Sequence, residues 1–278
     1  MIEHIKTILR SSESSPKVKR LAVLYGFACH GIFGLAGLAM LVQLHQGMTL
    51  GFGPFEGVWA VVANALLLAQ FPLAHSLLLT PRGNRLLARL APEPHGKTLA
   101  TTTYALIASL QLLLLFTLWS PSGIVFFRLE GAAMVAITLL YLAAWGLLTK
   151  ASFDAGPEVQ SGFLGWSSLW RGIKPKFPPM PQTGLFKIVR QPIYVSFALV
   201  LWLVPVWTPD QLILAVTYTA YCILAPLHKE RRFARMFGPQ FEAYRAHVPY
   251  WVPGLRLAQK KTPAQGGGFE NHSDKDAA

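Results

Sequence analysis

Negative charge is scarce in this sequence. Its 278 residues include 13 Asp and Glu against 25 Lys and Arg. The four types together make up 14% of the chain, and 53% of the residues are hydrophobic. A soluble domain carries about 25% charged residues. There is too little polar material here to cover the surface of a soluble enzyme of this length. Cysteine is nearly absent. Cys29 and Cys222 stand far apart, which excludes a disulfide framework, a CxxC redox pair and a zinc site, and no metal site is expected. There is no internal repeat. The first 20 residues are polar, and no signal peptide is read in them.

What is present is a set of long apolar runs. A helix needs about 20 mostly apolar residues to cross about 30 Å of hydrocarbon. Residues 21–44, 58–79, 99–118 and 131–149 qualify, and none of the four contains Lys, Arg, Asp or Glu. Two shorter runs follow, 193–206 and 211–227, separated by Trp207-Thr208-Pro209-Asp210. Thr208, Pro209 and Gln211 fall at the N-cap, first and third positions of a helix start. The spacing therefore predicts a tight helical hairpin and six spans in all. The fold class expected is all-α, a polytopic membrane helix bundle.

The net charge of +12 would also suit a nucleic-acid binder, so the position of the charges decides. Five basic residues precede the first span, four lie in residues 80–98, six in 150–192 and nine after Leu227. The other loops hold Arg128 alone. Six spans thus put 24 of 25 basic residues on one side, which the positive-inside rule makes cytoplasmic, with both termini inside. Topology accounts for the charge, and no nucleic-acid partner is expected.

The chain divides accordingly. Residues 1–20 read as a cytoplasmic interfacial segment, with Ile2, Ile5, Ile8 and Leu9 set against Lys6 and Arg10. Residues 21–149 form a four-helix membrane half. Residues 150–192 form a cytoplasmic aromatic and proline-rich segment. In it Trp166, Leu169, Trp170 and Ile173 share one helical face, and Pro175, Pro178, Pro179 and Pro181 then enforce an extended strap. This segment reads equally as a membrane-surface anchor or as a lid over a site. Residues 193–257 hold the hairpin and a C-terminal closing segment in which helix continues to Met236 and stops at Gly238. Residues 258–278 read as a disordered tail.

Ionisable groups inside spans point to function or to helix bridging. His30 and His75 are the candidates, and two histidines in different spans also suit axial haem ligation. His45, near the outer end of the first span, is expected to be exposed. The more informative groups are split across the hairpin. Arg190-Gln191-Pro192-Ile193-Tyr194 stands at its entry and His228-Lys229-Glu230 at its exit. Both hairpin helices are short (14 residues reach about 21 Å), so a pocket with water on one side and lipid on the other is expected. A guanidinium suits a carboxylate and a carboxylate suits ribose hydroxyls. S-adenosylmethionine has both groups. A plain Arg190–Glu230 ion pair tying two helices is the other reading.

Residues 184–253 resemble the catalytic half of the isoprenylcysteine carboxyl methyltransferase and phospholipid methyltransferase superfamily. Its pattern is Arg-His-Pro-x-Tyr, a hydrophobic hairpin, Glu-Glu, Phe-Gly-x-x-Tyr-x-x-Tyr and a final Val-Pro…Pro. The matching residues are Arg190 to Tyr194, Lys229-Glu230, the run from Phe237 to Tyr244, Val248-Pro249 and Pro253. Two positions depart from it: Gln191 replaces His, and Lys229 replaces the first Glu. The upstream half is similar to the methanethiol S-methyltransferase and NnrU-like branch, through His75-Ser76, Pro81-Arg82…Arg85…Arg89 and Thr103-Tyr104.

The resemblance implies an S-adenosylmethionine-dependent methyltransferase that acts on a small thiol or a similar membrane-permeant acceptor. The alternatives are a prenylcysteine or phospholipid acceptor, or a haem-binding NnrU-like protein without methyl transfer. It further implies that Arg190, Gln191 and Tyr194 contact the methionyl end and that Glu230 holds the ribose. The segment carrying Phe237 and Tyr244 would close over the adenosine. Arg190 and His75 are the expected catalytic residues, with His75 as a base for the thiol.

Overall fold

A computed structural model describes residues 15–254. The expectations for the N-terminal interfacial helix and the disordered tail fall largely or wholly outside these residues. The protein is an all-helical membrane bundle whose elements run α1 (Pro16–His45), α2 (Gly57–Leu78), α3 (Pro81–Leu90), α4 (Gly96–Thr117), β1 (Phe127–Arg128), α5 (Gly131–Asp154), α6 (Pro157–Gln160), α7 (Phe163–Arg171), α8 (Pro192–Trp202), β2 (Val206–Trp207), α9 (Pro209–Phe237) and α10 (Pro239–His247). A single 3-10 turn, Gly184–Lys187, lies between α7 and α8.

Five helices, α1, α2, α4, α5 and α9, are long and apolar enough to cross a membrane. The fifth apolar run, expected as a span of 14 residues, gives only the 11-residue α8, about 16 Å long. From Leu203 the chain leaves the helix and covers the remaining height in extended form. This is tolerable in lipid only if its polar groups are paired inside the protein, and several are. Val206 and Trp207 form an antiparallel pair with β1. The Leu201 carbonyl accepts from Gln211 Nε2 at 2.7 Å, and Thr208 Oγ1 donates to the Gly47 carbonyl at 2.7 Å.

The helix start predicted at Thr208 is present. Thr208 Oγ1 accepts from the Gln211 amide at 2.9 Å, and Pro209 opens the helix. Asp210 follows, and its side chain is a buried anchor. Its carboxylate accepts from Trp119 Nε1 at 3.0 Å, the Ser122 amide at 3.0 Å and Ser122 Oγ at 2.5 Å. These bonds tie the hairpin to the end of α4 at the pole away from Arg190. Asp210→Ala is expected to cost about 1–3 kcal/mol, because the buried Trp119 indole keeps a donor without an acceptor. Thermal unfolding in detergent is the check, and a wild-type midpoint would reject the anchor.

The main core lies between these spans and includes Leu44, Phe116, Trp119, Tyr141, Leu214 and Tyr218. Helix α7, read as a surface anchor or a lid, leaves Phe163 and Trp170 exposed. It packs on α1 and α4 as part of the bundle, with Leu164 and Leu169 buried. Gly26 makes this possible. A β-carbon there would stand 2.5 Å from the Trp166 ring, so any larger residue pushes α7 off α1. Trp166 Nε1 donates to His30 Nε2 at 3.0 Å, which makes His30 a bridge between helices. His45 is half-buried rather than exposed. Its Nε2 pairs with Thr138 Oγ1 at 3.0 Å, because the C-terminal end of α1 packs against α5.

Candidate functional site

The hairpin returns the chain to its starting level, so Arg190 and Glu230 meet as expected. Both are buried, with 8% of each exposed, and Gln191 is buried deeper at 1%. Arg190 Nε donates to Glu230 Oε1 at 2.8 Å and Nη2 to Oε2 at 3.3 Å. Gln191 Nε2 donates to the same Oε1 at 2.8 Å. The carboxylate is therefore held by two side chains from the α8 entry. This two-pronged hold requires a guanidinium.

Arg190 does more than pair with Glu230. Its Nη1 donates to the Arg245 carbonyl at 3.2 Å and the Val248 carbonyl at 2.5 Å. Its amide donates to the Pro249 carbonyl at 2.9 Å, and its Cζ lies 5.4 Å from the Tyr250 ring centre. Four of its five side-chain N–H bonds are thus engaged within the protein. One remains for a ligand.

The helix stop expected at Gly238 is present. Helix α9 ends at Gly238, whose φ of +48° favours glycine, and α10 turns back over the site. Phe241 is buried beneath it. The Tyr244 hydroxyl donates to the Phe186 carbonyl, and the Tyr250 hydroxyl donates to the Ile223 carbonyl, each at 2.7 Å. Burial raises the phenol pKa of both tyrosines. The Arg190 charge pulls both back, and Glu230 pushes both further up. Both stay neutral donors at any physiological pH.

A small, nearly filled pocket of about 10 Å³ lies here, lined by Pro181, Phe186, Arg190, Gln191, Lys229, Glu230, Phe233, Phe241 and Tyr244. Within it Gln191 Oε1 is buried without a hydrogen-bond partner. Pro181 comes from the strap, so the end of the strap borders the pocket while α7 does not. Phe237 stacks edge-on against Phe233 at 5.3 Å and stays behind the lining. Tyr194 faces Lys229, whose Nζ lies 5.7 Å from its ring centre.

Sequence reasoning passed over Phe186, Phe233 and Tyr250. The available signal was the i, i+4 series Lys229, Phe233 and Phe237, which share a face of α9. Phe186 carried no such signal, because its place depends on long-range contacts. Asp154, ion-paired with Lys150, accepts from the Leu185 amide at 2.8 Å and so fixes the 3-10 turn.

His75 lies apart from this pocket, deeper along the bundle. Its Nε2 is 2.6 Å from the Tyr104 hydroxyl, and its Nδ1 is buried without a partner. Phe71 packs on its ring at 4.8 Å, and neighbouring Ser76 reaches the Tyr221 hydroxyl at 3.4 Å. Among the described residues no group of three His, Cys, Asp or Glu side chains is arranged to hold a metal ion.

Comparison with known proteins places this geometry. No family profile matches the chain, and no solved structure matches it significantly. Curated sequences do. Methanethiol S-methyltransferase 1 of Bradyrhizobium diazoefficiens is 30% identical over 243 residues, covering 86% of this chain and 84% of that protein. Methanethiol S-methyltransferase of a Pseudomonas strain is 28% identical over 240 residues, 84% of this chain and 91% of that one. A nurim homolog of Drosophila melanogaster is 26% identical over 176 residues, 59% of this chain and 66% of that one. With identity at that level over most of both chains, on a bundle of membrane-length helices, this protein belongs to the methanethiol S-methyltransferase family and is an integral membrane methyltransferase.

Proposed function

We propose that the protein transfers the methyl group of S-adenosylmethionine to methanethiol or a thiol of similar size, at the cytoplasmic face of its membrane. The observation that carries this reading is the Arg190–Gln191–Glu230 cluster. It is buried at the foot of the hairpin and roofed by Phe241 and Tyr244. The basic residues supply the orientation: Arg128 lies at the Asp210 pole, and the other described Lys and Arg residues lie in segments at the pocket end. Both termini would then be cytoplasmic. The relatives' printed names supply the acceptor.

The polar groups suit such a cofactor, which must part the closing segment from the pocket to enter. Glu230 offers carboxylate oxygens to ribose hydroxyls. The orphaned Gln191 Oε1 suits an ammonium group, and the spare Arg190 N–H suits a carboxylate. Phe241 and Tyr244 would cover a flat base. S-adenosylmethionine would supply an electrophilic methyl on a positive sulfur that is already a good leaving group. The protein's task is then positioning and proton removal.

The thiol must lose its proton to attack. The thiol gives up its proton at His75 first, and the thiolate sulfur then bonds to the methyl carbon as the carbon–sulfonium bond breaks. With the Nε2 proton directed at Tyr104, Nδ1 presents a free lone pair. The pair stands at the depth of Tyr221, about 12 Å along α9 from Lys229. A thiol arriving from the bilayer meets it before the pocket.

Calorimetry with S-adenosylhomocysteine on the purified protein, together with headspace detection of dimethyl sulfide from added methanethiol, tests the reading. Binding and dimethyl sulfide formation are expected. No binding at millimolar ligand would overturn it.

A further inference from the structure

Lys229 stands where the resembling superfamily carries a carboxylate, and its surroundings are unusual for an ammonium. Its Nζ lies 5.9 Å from the ring centre of Phe186, 5.7 Å from that of Tyr194 and 5.6 Å from that of Phe233. It makes no hydrogen bond or ion pair of contact length among the described residues, although Glu230 is its neighbour in sequence. Lysine's ammonium is compact and strongly hydrated, so a three-ring environment without acceptors serves it poorly. Such an environment suits a diffuse, weakly hydrated cation bearing methyl groups, the kind that aromatic cages bind.

Three separate elements build this cage. Phe186 comes from the 3-10 turn, and its backbone is held on both sides. The Leu185 amide donates to Asp154, and the Phe186 carbonyl accepts from Tyr244. Tyr194 comes from the first turn of α8 and Phe233 from α9. Phe186 and Phe233 line the same pocket as Gln191 and Glu230.

We propose that Phe186, Tyr194 and Phe233 form the subsite for the sulfonium of the methyl donor, and that the Lys229 ammonium occupies it as a tethered placeholder until the donor displaces it. This rests on the S-adenosylmethionine reading above. The cage attracts the methylated, cationic sulfur and loses its hold once the methyl has left and the sulfur is neutral. It thereby favours substrate over product at the one atom where the two differ.

The test compares the affinities of S-adenosylmethionine and S-adenosylhomocysteine by calorimetry without acceptor. The ligands share every group except the charged methyl, so their affinity ratio isolates the cage. Phe233→Leu and Phe186→Leu keep apolar bulk and remove a π-face. Each is expected to lower the preference for the cation by about threefold or more, S-adenosylhomocysteine affinity falling by less than that of S-adenosylmethionine. The S-adenosylhomocysteine binding that remains also shows that the variants fold. Lys229→Met removes the competing cation and is expected to raise the preference. Any contact of Lys229 with the carboxylate common to both ligands cancels in the ratio. Wild-type ratios in both leucine variants, with S-adenosylhomocysteine still bound, would overturn the cage and leave the cofactor reading intact. Failure of S-adenosylhomocysteine to bind the wild type would overturn both.

Discussion

Glu230→Ala is expected to weaken S-adenosylhomocysteine binding by at least about a hundredfold and to abolish methyl transfer. Two losses combine. The carboxylate accepts from Arg190 Nε and Nη2 and from Gln191 Nε2, and removing one partner of a buried ion pair costs about 3–5 kcal/mol. The ribose would lose its acceptor as well. Glu230→Gln separates the two effects. It keeps the shape and one oxygen, so the closing segment stays in place while the charge-assisted bonds weaken. It should therefore unfold near the wild-type temperature and still bind poorly. Calorimetry beside a thermal melt reads both quantities. Undiminished affinity in either variant would reject the ribose assignment.

His75→Phe should behave differently. The imidazole touches none of the pocket-lining residues named above, so S-adenosylhomocysteine affinity should stay at the wild-type level. Removal of a positioned base typically costs 10²–10⁴ in rate, and a loss of that order is expected in kcat with methanethiol. Phenylalanine fills the space and still packs on Phe71. Tyr104→Phe is the companion variant. It leaves the imidazole but removes the hydroxyl 2.6 Å from Nε2, so a smaller loss in kcat is expected. Single-turnover methyl transfer at saturating cofactor is the measurement. A full rate in His75→Phe would remove this residue from the chemistry.

Much of the bundle was legible because lipid imposes a severe condition on sequence. A span must be long and nearly free of charge, and the runs forming α1, α2, α4 and α5 meet that condition plainly. Local chemistry also read true at Thr208-Pro209 and at Gly238, where caps and a positive φ depend on few neighbours. The extended half of the fifth passage was not legible. Residues 203–206 are as apolar as helix, and within them Pro205 alone hints that they are not. The meeting of Arg190 with Glu230 followed from hairpin geometry. The aromatic surroundings of Lys229 did not, because Phe186, Tyr194 and Phe233 reach it from three places that only the tertiary fold brings together. Trp166 was placed on the right helix, but its neighbours Gly26 and His30 were not read. The notch at Gly26 that receives it has no signature in hydropathy.

Arg190 holds the closing segment through the carbonyls of Arg245, Val248 and Pro249, and it holds Glu230 at the same time. For an enzyme working through this pocket, opening and recognition are then one event. The roof cannot lift without loosening the residue that also secures the floor, while α1, α2, α4 and α5 need not move. Product departure would then be a local unlatching at one arginine, an event distinct from methyl transfer.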